Sequence, residues 1–331
     1  FCVDMAVKTK KKKAYFIGIK GVGMTMLAQF LHARGYAVSG SDVSDTFLTD
    51  AVLRRLRIPV RSPFAPENIP AAPGMVVHSS AFSAANNSEL AYLAKHQSKV
   101  PVFSYAEALG REFNRYRGIA VCGSHGKTTT TAWLGYVLMK AGRQPNVLVG
   151  SNVPQFRGSG LTGRSPWLVA ETDEYQNKLR FFDPQGIVLN NIDYDHPDFF
   201  KDRIAYRQVF QDFVAKLPAS GWLIVNGDDT EAMVVSKACP AKIIRCGVNS
   251  AEADYLATGL TLKRGRQAFR LQVRGRDQGE FRLSLYGIHN VHNALGVIAA
   301  ARQLGVSWIQ IRQHLGTFRG TERRSQVLGE Y

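Results

Sequence analysis

Residues 122–133, CGSHGKTTTTAW, combine two glycines, a lysine and four consecutive threonines, a set of residues suited to holding phosphate groups. The general phosphate-binding loop is a glycine, four residues, then Gly-Lys-Ser/Thr, and this stretch departs from it because position 121 is valine. Lys127 can still reach β and γ phosphates, and Thr128 can offer its hydroxyl to Mg²⁺. We therefore predict an ATP-binding loop. Its members are Gly123, Ser124, His125, Gly126, Lys127, Thr128 and Thr129.

A phosphate loop needs a carboxylate nearby to hold the metal ion, and acidic residues follow two apolar runs downstream. The run WLVAETDE ends in Glu171, Asp173 and Glu174, and NNIDYDHPDFF contains Asp193, Asp195 and His196. Because ligands of open α/β sheets bind at the carboxyl ends of the strands, we expect these groups at one edge of a sheet. Mg²⁺ prefers oxygen ligands, so the residue types favour Glu171 and leave His196 open between a ligand and a turn residue.

A second glycine loop, GIKGVG at residues 18–23, also lies between a predicted strand and a predicted helix. Dinucleotide sites have the order G-x-G-x-x-G and an acid about 20 residues later that holds a ribose hydroxyl. Here the order is G-x-x-G-x-G, although Asp42 has the expected spacing. The loop thus indicates a nucleotide with a diphosphate. Its spacing leaves NAD, another nucleotide and a structural turn open.

Strands must alternate with helices to position these loops, and the hydrophobic pattern predicts that they do. We predict an α/β protein with a flexible basic arm at 1–13, a small doubly wound domain at 14–116 and a second domain at 117–319. Residues 255–287 are predicted to be rich in β-hairpins, and HNVHNALGVIAAARQLG to be the final helix. The other predicted strands are AYFIGI, YAVSGSD, MVVHSS, VPVFSY, GIAVCG, PWLVAE, GIVLNN and GWLIVN.

Composition narrows the function classes. Of 331 residues, 45% are apolar and 21% charged, as in soluble globular proteins. The net charge of +16 is spread over the chain and forms no recognisable nucleic-acid module, so we expect no nucleic-acid partner. No run approaches the ~20 apolar residues of a membrane span, so we expect no membrane insertion. The four cysteines lack disulfide or metal spacing, which predicts a reducing compartment, the cytoplasm.

Taken together, the motifs resemble the Mur ligases of bacterial peptidoglycan synthesis, and most of all their alanine-adding branch. The resemblance covers nearly all of residues 14–328. It implies a Rossmann-like UDP-binding domain followed by a P-loop-type central ATPase domain. It also implies a hinge at 320–331 and, after it, a C-terminal Rossmann-like domain that this chain lacks, so we expect nucleotide binding but little or no turnover. The motifs are FIGIKGVGM, SGSD, GSHGKTTTT, ETDE, NNIDYDHPDFF, GIHNVHNALGVIAA and FRGTERR.

The resemblance also implies roles for single residues. Lys127, Glu171 and His196 would be the catalytic residues. Lys127 would bind phosphates, Thr128 and Glu171 would hold the Mg²⁺ between the β and γ phosphates, and His196 would hold a second Mg²⁺. The remaining ATP-binding residues would be Asn290 and Asn293 near the adenine and the hinge residue Arg324. The UDP sugar would be bound by Gly18, Gly21, Val22, Gly23, Met24, Ser41, Asp42, Ser79 and Ser80.

The implied activity is an ATP-dependent ligase that joins L-alanine to the lactyl carboxylate of UDP-N-acetylmuramate through an acyl phosphate. Two alternatives stay open: a relative that attaches a recycled tripeptide to the same sugar, and a nicotinamide-dependent oxidoreductase. The sequence departs from the family pattern at Lys20, where the alanine-adding ligases most often have glycine. Phe210 stands where several other Mur ligases carry a carbamoylated, metal-binding lysine, so we expect no such modification here.

Overall fold

The computed structural model describes residues 11–96, 99–263 and 266–322. The chain divides into two compact units, Phe1–Ala108 and Leu109–Tyr331. Most of the predicted basic arm and the predicted ATP ligand Arg324 lie outside the described residues. Within the described residues, no helix is both long and apolar enough to cross a membrane.

The first unit is built on a parallel five-stranded sheet with the strand order β3-β2-β1-β4-β5. Its first strand is therefore central, and the chain winds outward from it in both directions, which leaves a crevice at the carboxyl end of β1. The strands are β1 (Lys13–Ile17), β2 (Ala37–Ser41), β3 (Val60–Arg61), β4 (Met75–His78) and β5 (Val102–Ser104). The helices are α1 (Val22–Ala33), α2 (Asp50–Arg55), α3 (Ser88–His96) and α4 (Tyr105–Phe113), the last containing the division between the units.

The second unit has a ten-stranded sheet in the order β15-β14-β13-β12-β11-β10-β6-β9-β7-β8. Strands β13 to β7 in that order are parallel, and antiparallel partners extend both edges. The strands are β6 (Arg117–Cys122), β7 (Asn146–Val153), β8 (Gly158–Leu161), β9 (Trp167–Glu171), β10 (Gly186–Leu189), β11 (Trp222–Asn226), β12 (Lys242–Gly247), β13 (Tyr255–Lys263), β14 (Arg266–Val273) and β15 (Arg276–Leu283). The helices are α5 (Lys127–Lys140), α6 (Arg203–Ala215), α7 (Thr230–Ser236), α8 (Ile288–Gln303) and α9 (Trp308–Leu315).

Helix α5 is the central helix of this unit. It is buried on nearly all sides because it packs against α8, α9 and the sheet, so its sequence shows no polar face. Trp133 is fully buried, donates from Nε1 to the carbonyl of Leu315 at 2.9 Å, and stacks on Phe318 at 5.5 Å between ring centroids. The loop before α5 is therefore attached to a buried, well-packed helix.

The predicted strands agree with the structure to within a few residues, and the predicted β-hairpin segment is present as β13–β15. The helix predicted at residues 289–305 is confirmed as α8, but the prediction that it is the final helix was wrong, because α9 follows. Gly305, with φ +74°, ends the first of the two helices. Ser307 and Gln310 then form a capping box at the start of α9. This start signal was overlooked in the sequence because the helix that follows it is short.

Candidate functional site

The loop of residues 123–126 connects β6 to α5 at the middle of the large sheet. Strand β6 lies between β9 and β10, so the residues that end both neighbours surround the loop. Glu171 is the last residue of β9, and Asn190 and Asn191 follow β10 directly. The predicted phosphate loop and the predicted metal ligand therefore lie at the same edge of the sheet.

Two glycines shape the loop because side chains are excluded there. Gly123 has φ +122°, and a Cβ on it would lie 2.6 Å from the carbonyl oxygen of Asn191. Gly126, the N-cap of α5, has φ +78°, and its Cβ would lie 2.5 Å from Oδ1 of Asn293 and 2.8 Å from Nδ2 of Asn190. The backbone thus approaches its neighbours closely, and the N-terminus of α5 is left with unpaired N–H groups suited to an anion.

Lys127 extends from the first turn of α5 back over the loop. Its Nζ lies 2.6 Å from the carbonyl oxygen of Gly123 and 3.1 Å from Oε2 of Glu174. Glu174 is fully buried, and its other oxygen lies 3.1 Å from the hydroxyl of Tyr206. A buried carboxylate requires such partners because losing hydration is costly. Sequence analysis placed Glu174 at the strand end but did not predict this ion pair.

Thr128 and Glu171, the predicted ligands of one Mg²⁺, are in direct contact. The Thr128 hydroxyl donates to Oε1 of Glu171 at 2.8 Å, and the backbone N–H of Gly150 donates to Oε2 at 2.9 Å. Both side chains present oxygen atoms, the ligands that Mg²⁺ prefers. The pair fits a magnesium ion bound beside the phosphate loop.

His196 lies with a different pair of acids. Ligand atoms of Asp173, Glu174 and His196 all lie within 4.8 Å of one another, an arrangement that could hold a metal ion. The ring of Tyr175 packs on the His196 ring at 4.5 Å between centroids. His196 adopts φ +56°, a left-handed conformation that is uncommon outside glycine. The three predicted metal ligands thus separate into Thr128 with Glu171 and, in a second group, His196.

The segment after β10 encloses the loop from the other side. Asn191 Oδ1 accepts from the N–H of His125 at 2.8 Å, and Nδ2 of Asn190 donates to the His125 carbonyl at 3.1 Å. Ser124 Oγ donates to the carbonyl of Asp193 at 2.7 Å and lies 2.8 Å from the Tyr206 hydroxyl. Burial and the nearby Glu174 carboxylate raise the pKa of the Tyr206 hydroxyl, which keeps it protonated. Sequence analysis missed the two asparagines, whose signal was their position at a strand end.

A cavity of about 340 Å³ opens next to the loop, within the range of ligand pockets. Apolar Val188 and Ile224 line it together with polar Asn226, His292 and Asn293. Asn290, the other predicted adenine neighbour, is buried behind this wall and accepts from Nδ2 of Asn293 at 3.2 Å.

The pKa of the His292 imidazole is shifted by its surroundings. Its Nε2 lies 3.7 Å from Oδ2 of Asp228, yet burial dominates and lowers the pKa of the imidazole. The ring is therefore neutral at neutral pH. Thr129 is partly exposed in the first turn of α5.

In the first unit, the loop of residues 18–21 turns sharply between β1 and α1. Gly18 has φ +81°, and a Cβ on it would lie 2.7 Å from the ring of Phe82 and 3.0 Å from Cβ of Ser79. A Cβ on Gly23 would lie 2.8 Å from Tyr105. These close contacts bring the end of β4, with Ser79 and the exposed Ser80, beside the loop.

The other predicted UDP-sugar residues differ in accessibility. Gly21 is the N-cap of α1, and Val22 is about half exposed. Met24 is buried, and the buried Ser41 hydroxyl donates to Glu89 at 2.6 Å. Asp42, also buried, accepts from the N–H groups of Lys20 at 2.6 Å and Val43 at 2.8 Å. Because their side chains are buried, Met24, Ser41 and Asp42 can contribute to a ligand site through the backbone. Their roles in binding UDP remain predictions.

Phe210, the position compared with a carbamoylated lysine, is fully buried in α6. Its ring packs edge to face on that of Tyr206 at 5.3 Å. The position offers no metal ligand.

Comparisons with known proteins identify one family along both units. The profile described as "Mur ligase family, catalytic domain" matches residues 13–117, and the "Mur ligase middle domain" matches residues 121–301. The UDP-N-acetylmuramate–L-alanine ligase of Desulfitobacterium hafniense is 38% identical over 317 residues, which are 96% of this chain and 69% of that protein.

Two solved structures are similar throughout the chain. The UDP-N-acetylmuramate–alanine ligase of Thermotoga maritima has a TM-score of 0.83 at 26% identity, with 96% of this chain and 71% of that one covered. A murein peptide ligase from Psychrobacter arcticus has a TM-score of 0.84 at 25% identity, with 96% and 70% covered.

Proposed function

This chain belongs to the Mur ligase family, and from that premise we propose that it contains the UDP-sugar-binding and ATP-binding parts of a UDP-N-acetylmuramate–L-alanine ligase. The reaction joins L-alanine to the lactyl carboxylate of the sugar and converts ATP to ADP and phosphate. Identity of 38% to an alanine ligase over nearly the whole chain favours alanine as the added group. We expect the reaction to take place in the cytoplasm, where ATP is available.

The observation that carries the proposal is the contact between Thr128 and Glu171. The hydroxyl is in the first turn of α5 and the carboxylate is at the end of β9, yet they lie 2.8 Å apart beside a glycine-rich loop. A nucleotide triphosphate with its Mg²⁺ needs this combination of anion-binding N–H groups, a hydroxyl and a carboxylate. A nicotinamide-dependent oxidoreductase would have no use for it.

The hydroxyl and carboxylate oxygens fit Mg²⁺, and we assign one ion to Thr128 and Glu171. A second ion would be held by the carboxylates of Asp173 and Glu174 together with a ring nitrogen of His196. Magnesium, when bound, offsets the negative charge of the phosphates and polarises the transferring group. Lys127 adds a positive charge at the same place. To reach the phosphates, its ammonium must share or leave the contact with Glu174 at 3.1 Å.

The ligation has to overcome a chemical obstacle: a carboxylate does not react with an amine, because oxide is a poor leaving group. A lactyl carboxylate oxygen therefore bonds to the γ-phosphorus of ATP while the bond to ADP breaks, which yields an acyl phosphate. The neutral amino group of L-alanine then bonds to the acyl carbon, phosphate leaves, and the nitrogen loses a proton. No side-chain nucleophile is required. The protein aligns the substrates, and Lys127 stabilises charge on the transferring phosphoryl group.

The first unit would bind the UDP sugar at its glycine loop. The N–H groups of Val22, Gly23 and Met24 are in the first turn of α1, so they have no acceptor within the helix. A diphosphate at this helix start would receive those hydrogen bonds. Ser79 and Ser80 would border the site from the end of β4.

The test is a calorimetric titration of the chain with UDP-N-acetylmuramate in Mg²⁺ and a non-hydrolysable ATP analogue, with NADH as the control ligand. We expect both nucleotides to bind and NADH not to bind. Lys127→Met should weaken binding of the ATP analogue and leave the affinity for the UDP sugar unchanged. NADH binding without UDP-sugar binding would refute the proposal for the first unit.

The added group is tested separately, because the fold is equally close to an alanine ligase and a murein peptide ligase. Because we expect little or no turnover from this chain, single-turnover phosphate release, with the chain in excess over ATP, is measured with L-alanine and with L-alanyl-γ-D-glutamyl-meso-diaminopimelate at equal concentrations. Release that depends on the tripeptide and not on L-alanine would reassign the substrate.

A further inference from the structure

We propose that Lys20 is a positioning residue that fixes residues 42–50 beside the first glycine loop and so pre-organises the UDP-sugar site. Lys20 lies inside the loop but its side chain is buried, with 8% of the side chain exposed. Every polar group of the residue contacts the segment that follows β2. The inference rests on the proposed function only for the identity of the ligand.

The ammonium group of Lys20 is held by backbone oxygens of that segment. Nζ donates to the carbonyl of Val43 at 2.8 Å and to that of Asp45 at 2.7 Å. The carboxylate of Asp50 lies 3.8 Å away and offsets the charge. The ring of Phe47 lies 5.7 Å from Nζ, within the range of a cation–π contact. Burying an ammonium is unfavourable without such partners, so the bonds constrain the segment as well as the lysine.

The backbone of Lys20 adds two more connections. Its N–H donates to Oδ2 of Asp42 at 2.6 Å, and its carbonyl accepts from the hydroxyl of Thr49 at 2.5 Å. Residues 42 to 49 are thus tied to the loop at both ends and in the middle. The segment contains no helix or strand of its own before α2 begins at Asp50. Besides the bonds to Lys20, the Val43 carbonyl accepts from the Ser62 hydroxyl at 3.3 Å, and the N–H of Phe47 donates to Asp50 at 3.0 Å.

The position of Lys20 relative to the start of α1 determines how it can affect a ligand. The loop leads directly into α1, whose first-turn N–H groups are available to a diphosphate, whereas the N–H groups of Gly18 and Ile19 already donate to the carbonyl of Ser41. Lys20 directs its charge away from that helix start and into the segment. It therefore acts on the ligand through the shape of the crevice at the end of β2, and removing it would leave the segment to be ordered when the ligand binds.

The experiment compares Lys20→Met with Lys13→Met, a matched control. Lys13 also donates from Nζ to a backbone carbonyl, that of Ala71 at 3.1 Å, but it begins β1 and so lies at the opposite end of the strand. Amide hydrogen exchange is measured for the ligand-free full chain over peptides covering 42–50. The affinities for UDP and for UDP-N-acetylmuramate are then measured by titration. A titration with the ATP analogue shows whether the second unit is affected.

We expect Lys20→Met to lose protection from amide hydrogen exchange in residues 42–50 and to bind UDP-N-acetylmuramate at least tenfold more weakly. Its affinity for the ATP analogue should not change. Lys13→Met should match the wild-type chain in exchange and in both affinities. A Lys20→Gln variant, which keeps a donor, should recover part of the affinity. Unchanged protection overturns the inference, and so does lost protection with unchanged UDP-sugar affinity, which would mean a purely structural role. If the wild-type chain binds no UDP ligand, the proposed function fails, and the exchange data alone decide whether Lys20 orders the segment.

Discussion

Two glycines at opposite ends of α5 allow the geometry of the phosphate loop to be tested against a matched control. Gly126 precedes the helix with φ +78°, and Gly142 follows it with φ +74°. An alanine at either position has to adopt the left-handed conformation, which costs about 1–2 kcal/mol. Around Gly142 no atom lies within 4 Å of the added Cβ, whereas at Gly126 the Cβ would lie 2.5 Å from Asn293 and 2.8 Å from Asn190.

The difference in unfolding free energy between the two variants follows from the hydrogen bonds that the Gly126→Ala substitution would break. Moving the Asn190 amide breaks its hydrogen bonds to the His125 carbonyl and the Thr130 hydroxyl, both 3.1 Å long. At about 1 kcal/mol each, these raise the cost of Gly126→Ala to about 3–4 kcal/mol, against about 1–2 kcal/mol for Gly142→Ala. A displaced loop also loses at least one hydrogen bond to a charged phosphate. That loss weakens ATP-analogue binding about tenfold or more.

Urea unfolding followed by tryptophan fluorescence measures the first quantity, since all four tryptophans belong to the second unit. A difference of about 2 kcal/mol corresponds to roughly 0.7 M in the urea midpoint if m is about 3 kcal/mol/M. Calorimetry with the ATP analogue measures the second quantity. Equal midpoints and equal affinities for the two variants would refute the argument that the loop is closed by contact with the asparagines.

Three further predictions concern the same unit. Thr128→Val should remove the Mg²⁺-dependent part of ATP-analogue binding, and Thr128→Ser should keep it; titrations with and without Mg²⁺ decide. Glu174→Gln should lower the free energy of unfolding by roughly 3 kcal/mol, because Lys127 then loses its partner in a buried pair, and unchanged urea unfolding would contradict this. Burial lowers the pKa of His292 below its ordinary value, so the unfolded chain binds the proton first and stability falls as the pH drops below about 6.5. His292→Leu should reduce that fall between about pH 7.5 and about pH 5.5 in urea midpoints, and an unchanged slope would show that other groups cause it.

Much of the nucleotide-binding framework was predictable from the sequence because its determinants are local. A buried strand, a glycine-rich turn and a helix start occur within about a dozen consecutive residues around Lys127, and that order alone places N–H groups toward an anion. The same reasoning located the loop before α1. The predicted strand positions followed from apolar runs. Strands β3, β7, β8 and β12 were not predicted, and neither was the short helix α9, whose eight residues carry little periodic signal.

The partners within the site were decided by tertiary structure. The stretch ETDE begins at the last residue of β9, and no local rule tells which of its three acids faces which group. The sheet order places β6 between β9 and β10, and only that order brings Glu171 to Thr128, 43 positions away, and Glu174 to Lys127, 47 positions away. Likewise, burial of Lys20 depends on how the chain after β2 folds back over the loop. Sequence thus determined which chemistry the chain carries, whereas strand order and packing, which depend on contacts between distant residues, determined which atoms meet.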